Sequence, residues 1–200
     1  MARLQPGRQN KQGTGALAPE VRNLMQDANQ NRGGFLGDID LRHLVPCDQI
    51  IGDDPEDTAL LNAHRKYAEE WLSSFRWCKG VKECFFGCGL GGVIAVFLMA
   101  IEPGSEDVDE YLWVVVGDVP SAYLVTEDAP TPAKALEVYC VLMQDWVDAV
   151  RAGKSVGDLI PVNAAPTLEN ADALQTRLTT LQQLEIPERP EILRGGDLPN

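Results

Sequence analysis

Apolar positions recur at three- and four-residue steps in one stretch, with Leu60, Leu61, His64, Ala68, Trp71, Leu72 and Phe75 on a common face. Glu69 and Glu70 fall on the opposite face. The spacing predicts an amphipathic helix capped by Asp57 or Thr58 and running to about Phe75. Lys79-Gly80 then breaks the helical pattern. A second pattern follows. Residues 81–86 (VKECFF) read as a short strand, and 93–101 (VIAVFLMAI) and 111–116 (YLWVVV) are apolar at every position. Their β-branched and aromatic content predicts strands. Strands without polar alternation are covered on both faces, so this pair belongs at the centre of a sheet. The link between them contains Pro103-Gly104 and a run of acids, which predicts a surface turn.

Gly117-Asp118-Val119-Pro120 predicts another turn, and Tyr123-Leu124-Val125-Thr126 a further strand. Thr131 and Pro132 have the chemistry of a helix start. Leu136, Tyr139, Met143, Trp146, Val147 and Val150 make that helix's buried stripe, and Gly153 ends it. Thr167 opens a third helix to about Leu184, with Leu174, Leu178 and Leu181 on one side. Residues 35–57 read as irregular, punctuated by Pro46, Gly52 and Pro55. The resulting fold class is α+β: an antiparallel sheet with a central apolar hairpin, packed by about three helices. The expected organisation is a basic, disordered leader over 1–34 with a short helix near 19–29, a single domain over 35–186, and a flexible tail over 187–200.

Charge is unevenly spread. The 200 residues carry a net charge of −13. Residues 1–34 hold Arg3, Arg8, Lys11, Arg22 and Arg32 against Glu20 and Asp27, a net +3, which leaves −16 for the remainder. Such a surface repels phosphate backbones and anionic lipid, so nucleic-acid and membrane partners are not expected. It attracts basic proteins. Five cysteines without a disulfide framework, and no apolar leader of secretory type, suit reduced thiols in a cytoplasmic protein.

Gly87-Cys88-Gly89-Leu90-Gly91-Gly92 matches G-x-G-x-x-G. A dinucleotide site needs a helix next, with its N-terminus on the pyrophosphate, but strand-like 93–101 follows. A bent glycine-rich hairpin connection is the expected reading. Residues 84–101 carry no charge over 18 positions, the lower edge of a membrane span, yet the glycine-rich half is poorly apolar. Cys78, Cys84 and Cys88 supply only one C-x₃-C pair, so buried thiols are expected rather than a zinc centre. No metal ligand set, cofactor motif or catalytic triad is legible, which points away from an enzyme. Glu106, Asp107, Asp109 and Glu110 are the candidate contacts for a cationic partner.

The run Trp113-Val114-Val115-Val116-Gly117-Asp118-Val119-Pro120-Ser121-Ala122-Tyr123 resembles the W-x-V-x-G-D-(L/V)-P-x-x-Y strand-turn segment of a family of small bacterial proteins carrying a domain of unknown function. There the segment precedes a helix with a Trp-containing stripe, the place filled here by Thr131 to Val150 with Trp146. The likeness covers about residues 64–150 and implies a cytoplasmic bacterial α+β domain. Asp118 is expected to accept hydrogen bonds from turn amides, Pro120 to fix the backbone and Tyr123 to close the turn. The leading functional expectation is a non-enzymatic protein-binding module, such as an immunity protein that neutralises a cognate toxin. The alternatives are a small-molecule-binding or enzymatic domain using the Gly-rich turn 87–92 with Asp118 and Tyr123, and a virion or assembly component with a basic arm.

Overall fold

The computed structural model describes residues 35–127 and 129–184. The expected leader, its short helix and the 187–200 tail lie outside these residues. The sheet grows from the hairpin foreseen at its centre. Strand β5 (Ile94–Pro103) has eight consecutive buried residues, and β6 (Tyr111–Gly117) five. They pair antiparallel with Phe97 opposite Val114. Strand β4 (Cys78–Leu90) flanks β5 on one side, and β7 (Ala122–Val125) flanks β6 on the other. A two-residue β3 (Val45–Pro46) borders β4, giving the order β3-β4-β5-β6-β7 with every pair antiparallel. A separate two-stranded ribbon joins β1 (Phe35–Leu36) to β2 (Ile39–Asp40).

The pleat sends alternate residues of the central strands into two different cores. Ala95, Phe97, Met99, Ile101, Leu112, Val114 and Val116 face helix α1 (Pro55–Ser73), whose Leu61, Ala68 and Leu72 are fully buried. Ile94, Val96, Leu98, Trp113 and Val115 face α2 (Pro132–Arg151), backed by α3 (Leu168–Gln183). This is an α+β domain with a helix on one face of the sheet and a helix pair on the other. Both faces are covered, which is why the hairpin lacks polar alternation.

Several boundaries differ from the sequence reading. Helix α1 begins at Pro55, with Asp54 as the cap whose carboxylate accepts the Asp57 N–H at 2.8 Å. Asp57 instead ties the helix to the sheet, its Oδ1 accepting the Gly91 N–H at 2.7 Å. The helix stops at Ser73, so Lys79-Gly80 lies inside β4 rather than ending the helix. Strand β4 continues through Gly87 and Gly89, kinked by a register shift between Phe86 and Cys88, and the hairpin turns at Gly91-Gly92. The bent glycine-rich connection is present, but the strand runs four residues past Phe86, to Leu90, before it turns. The stretch 35–57 holds β1, β2, β3 and 3-10 turns at Leu41–His43 and Cys47–Gln49. At the first of these turns, buried Asp40 accepts from the Arg42 backbone and from both Nε and Nη2 of its guanidinium. That pairing holds the Asp40 carboxyl below its ordinary value against the opposing effect of burial. The caps at Thr131 and Thr167 and the positive φ at Gly153 stand where the sequence placed them.

Among the described residues, no helix is long and apolar enough to cross a membrane. The uncharged run 84–101 is two sheet strands and the turn between them.

Candidate functional site

An aromatic surface forms where α1 ends. Tyr67, Trp71 and Phe75 follow one another at four-residue steps, beside the buried Leu61–Ala68–Leu72 stripe rather than within it. The helix is capped by Ser74, whose side-chain hydroxyl donates to the Trp71 carbonyl at 2.6 Å. The chain then folds back so that Trp77 stacks on Phe75, with centroids 5.2 Å apart. Trp71 meets Phe75 edge to face at 5.0 Å. Tyr123 reaches in from β7, 4.9 Å from Trp77 and 5.6 Å from Phe75. Each ring except Tyr67 is half-buried, and Tyr67 is 49% exposed. Its hydroxyl lies 3.4 Å from the Ser121 hydroxyl, just ahead of β7. Burial pushes the Tyr123 hydroxyl up from its ordinary value, so it remains a neutral hydrogen-bonding group.

The acidic turn adjoins this surface. The Gly104 N–H donates to the Trp77 carbonyl at 2.7 Å. A Cβ on Gly104 would stand 3.0 Å from that same oxygen, so a glycine lets the turn lie against Trp77. Val108 packs against the same core as the rings. Glu106 and Asp107 are exposed, whereas Asp109 and Glu110 are half-buried. Around this end of the sheet, Glu102, Glu106, Asp107, Asp109, Glu110 and Glu127 outnumber Arg76, Lys79 and Lys82. Lys82 is already committed to Glu110 at 2.9 Å.

The structure therefore joins Glu106, Asp107, Asp109 and Glu110 with Tyr123 on one surface, and it leaves Asp118 out. Strand β6 separates Asp118 from the acidic turn by about 20 Å of extended chain. Asp118 does not cap turn amides with its side chain. Its carboxylate pairs with Arg177 of α3 at 3.2 Å, while its backbone N–H donates to the Val93 carbonyl. Nor does Tyr123 close the Gly117–Pro120 turn, because its ring points to Trp77 on the α1 face. The Glu110 carboxylate accepts from Lys82. The sequence places Trp71 and Phe75 on the apolar face of the helix and does not single out Tyr67. The available signal was the i, i+4 row of rings offset from the aliphatic stripe.

Asp109 gives a testable electrostatic effect. Burial, and then repulsion from Glu127, raise its carboxyl above the ordinary 3.8. A raised carboxyl costs stability at neutral pH, where it is ionised in both folded and unfolded chains. The cost fades as pH falls through the folded value toward the unfolded one. Asp109 is only half-buried, so solvent screening keeps the effect small. Asp109→Asn is expected to raise stability at pH 7 by about 0.5 kcal/mol, with the gain vanishing near pH 4. Urea melts at the two pH values measure it, and equal gains at both would exclude this origin.

The Gly91 amide, which the glycine motif would offer to a phosphate, donates to Asp57, and a strand follows the turn instead of a helix. Cys78, Cys84 and Cys88 do not converge. Cys78 faces the α1 core, Cys88 the α2 core, and Cys84 meets Cys47. Among the described residues, no group of three His, Cys, Asp or Glu side chains could hold a metal ion. His64 sits at the core edge on α1, half-buried, and desolvation holds its imidazole below the ordinary value. Comparison of the chain with family models, curated proteins and solved structures gives no match.

Proposed function

We propose that the chain is a non-enzymatic, cytoplasmic protein-binding module that docks a basic partner protein through the Tyr67–Trp71–Phe75–Trp77–Tyr123 surface and its acidic rim. The observation that carries this reading is the ring cluster itself: five aromatic side chains gathered at the surface beside a terminal strand of the sheet. Large, rigid rings supply contact area at low entropic cost and dominate interface energetics. Strand β7 adds the backbone groups of a sheet edge, since no further strand pairs with it among the described residues. The exposed Glu106 and Asp107 would speed encounter with a cationic surface and reject acidic ones. An immunity-type role, neutralising a cognate toxin, is the specific form of this proposal that suits a small chain with a net charge of −13. The small-molecule reading is weaker, because the Gly-rich turn already spends its amide on Asp57.

The test is affinity capture from the source cytosol at low and high ionic strength, comparing wild type, Tyr67→Ala and Glu106→Lys/Asp107→Lys. A basic protein retained by wild type at low salt should fall by roughly tenfold or more with either variant, because removing a hot-spot ring or reversing steering charges costs at least 1.4 kcal/mol. No retained protein at any salt, or equal retention by all three forms, would overturn the proposal.

A further inference from the structure

On the side of the molecule where β3 meets β4, two cysteines meet that the docking reading does not use. Val45 pairs with Phe86 and Pro46 with Phe85. The same antiparallel register, continued by one residue, sets Cys47 opposite Cys84. Directly opposed residues in such a ladder have Cα atoms about 4.5–5.5 Å apart, inside the range of about 4.4–6.8 Å that a disulfide spans. The side chains confirm the opposition: the two Sγ atoms lie 2.9 Å apart, both as free thiols. Forming a bond of about 2.05 Å needs less than ~1 Å of further approach. Cys78 and Cys88 are directed into opposite cores, and Cys140 lies on α2.

Of the two, Cys84 is half-buried and Cys47 is buried. Both cysteines line a cleft of about 490 Å³. Arg65 of α1 stands over it, donating to the Cys47 carbonyl at 3.2 Å and to Glu69 at 2.9 Å. That clamp fixes the turn carrying Cys47 against the helix and places a cation beside the sulfurs, which favours a thiolate during exchange. At rest, contact with Cys47 and burial push the Cys84 thiol up, so it keeps its proton. The cleft wall is otherwise acidic, with Asp48, Glu69, Glu70 and Glu83 against Arg65 and Lys82. This lining suits a cationic reagent better than an anionic one.

We propose that Cys47 and Cys84 are a thiol–disulfide site, a paired dithiol that a low-molecular-weight disulfide closes to an intrachain cystine. One protein thiolate attacks a sulfur of the reagent, expelling one small thiol and leaving a mixed disulfide. The second protein thiol attacks the protein sulfur of that bond, and the second small thiol leaves. The protein loses two hydrogens and is oxidised, and the reagent takes them up as two thiols. The bond would close a loop that contains the whole of α1, with its ends 37 positions apart. It would fasten the turn before that helix to the sheet at its β3–β4 edge, the edge opposite β7.

Cystamine, a cationic small disulfide, is the probe, used on the full-length reduced protein. Treatment should lower the free-thiol count of the denatured chain from five to three, leaving Cys78, Cys88 and Cys140. Trypsin cuts after Lys79 and Lys82 and chymotrypsin after Phe85 and Phe86, so the combined digest separates Cys84 from both Cys78 and Cys88. The digest should contain a Cys47–Cys84 linked peptide lighter by two hydrogens than its parts, and dithiothreitol should restore both. Wild-type protein decides the matter, so no variant need fold. Five persisting thiols, a stable cystamine adduct, or a linkage through any other cysteine would each overturn the assignment.

Discussion

Gly117→Ala is expected to destabilise the protein by about 3–5 kcal/mol, the sum of left-handed backbone strain and a backbone clash. Gly117 has φ +148°, a region L side chains rarely enter. A Cβ built there would stand 2.2 Å from the Val93 carbonyl oxygen and 2.7 Å from the Ile94 Cα. Both obstacles are backbone of the neighbouring hairpin, which cannot swing aside as a side chain can. The oxygen is also in use, accepting the Asp118 N–H at 2.8 Å. A methyl group would therefore strain one turn and part the hydrogen bond that joins it to the next. Since whole domains are stable by only about 5–15 kcal/mol, the melting temperature should fall by roughly 10 °C or more. Gly80→Ala is the control. It lies in β4 with nothing within 4 Å of a new Cβ, so its effect should stay within about 1 kcal/mol. If the two variants melt alike, the close approach at Gly117 is not what the turn depends on.

This position shows what the sequence carried and what it withheld. The Gly-Asp-Val-Pro run announces a turn through residue types alone. It does not announce that the glycine is required by the turn at Gly91-Gly92, because that contact depends on the register of β5 against β6. The central hairpin was legible for a local reason. Strands buried on both faces need apolar side chains at every position, and 93–101 and 111–116 meet that need. Helices α2 and α3 were legible through their stripes and Thr caps. Strands β1, β2 and β3 were not, because two residues are too few to show a period. The helix start at Pro55 was displaced because Asp54, Asp57 and Thr58 all have capping chemistry, and only the contact of Asp57 with Gly91 assigns each its place.

The candidate surface was half legible for a related reason. Its acids form a contiguous run, so they are visible in order along the chain. Its rings come from α1, the turn after it and β7. They meet only because Trp77 folds back on Phe75 while the sheet brings Tyr123 beneath both. Asp118 and Tyr123 are five positions apart and share a motif, yet they serve different faces: one pairs with Arg177 beside α3, the other joins the rings over α1. Proximity in sequence around a strand end is a poor guide to shared function where a turn reverses the chain.

Trp113 separates structural from surface tryptophan chemistry. Its side chain is fully buried between the sheet and α2, with Leu98 and Leu124 as its strand neighbours. The indole N–H donates to the Ala129 carbonyl at 2.7 Å, inside the protein. That bond holds the segment joining β7 to α2, and it satisfies an acceptor that has little access to water. Trp113→Ala should lose about 3–5 kcal/mol from the cavity, with about 1–3 kcal/mol more for the stranded carbonyl. Those losses take most of an ordinary domain's stability, so the variant should not accumulate as folded protein. Trp113→Phe keeps much of the volume and is expected to cost about 2–3 kcal/mol, read from urea melts. Trp77→Ala removes a half-buried ring from the rim and should melt within about 2 kcal/mol of wild type. Its larger loss should appear in partner capture. If Trp77→Ala unfolds the domain while Trp113→Phe melts like wild type, the buried indole is dispensable and the rim rings are part of the core. The aromatic surface would then be packing, with no face left over for a partner.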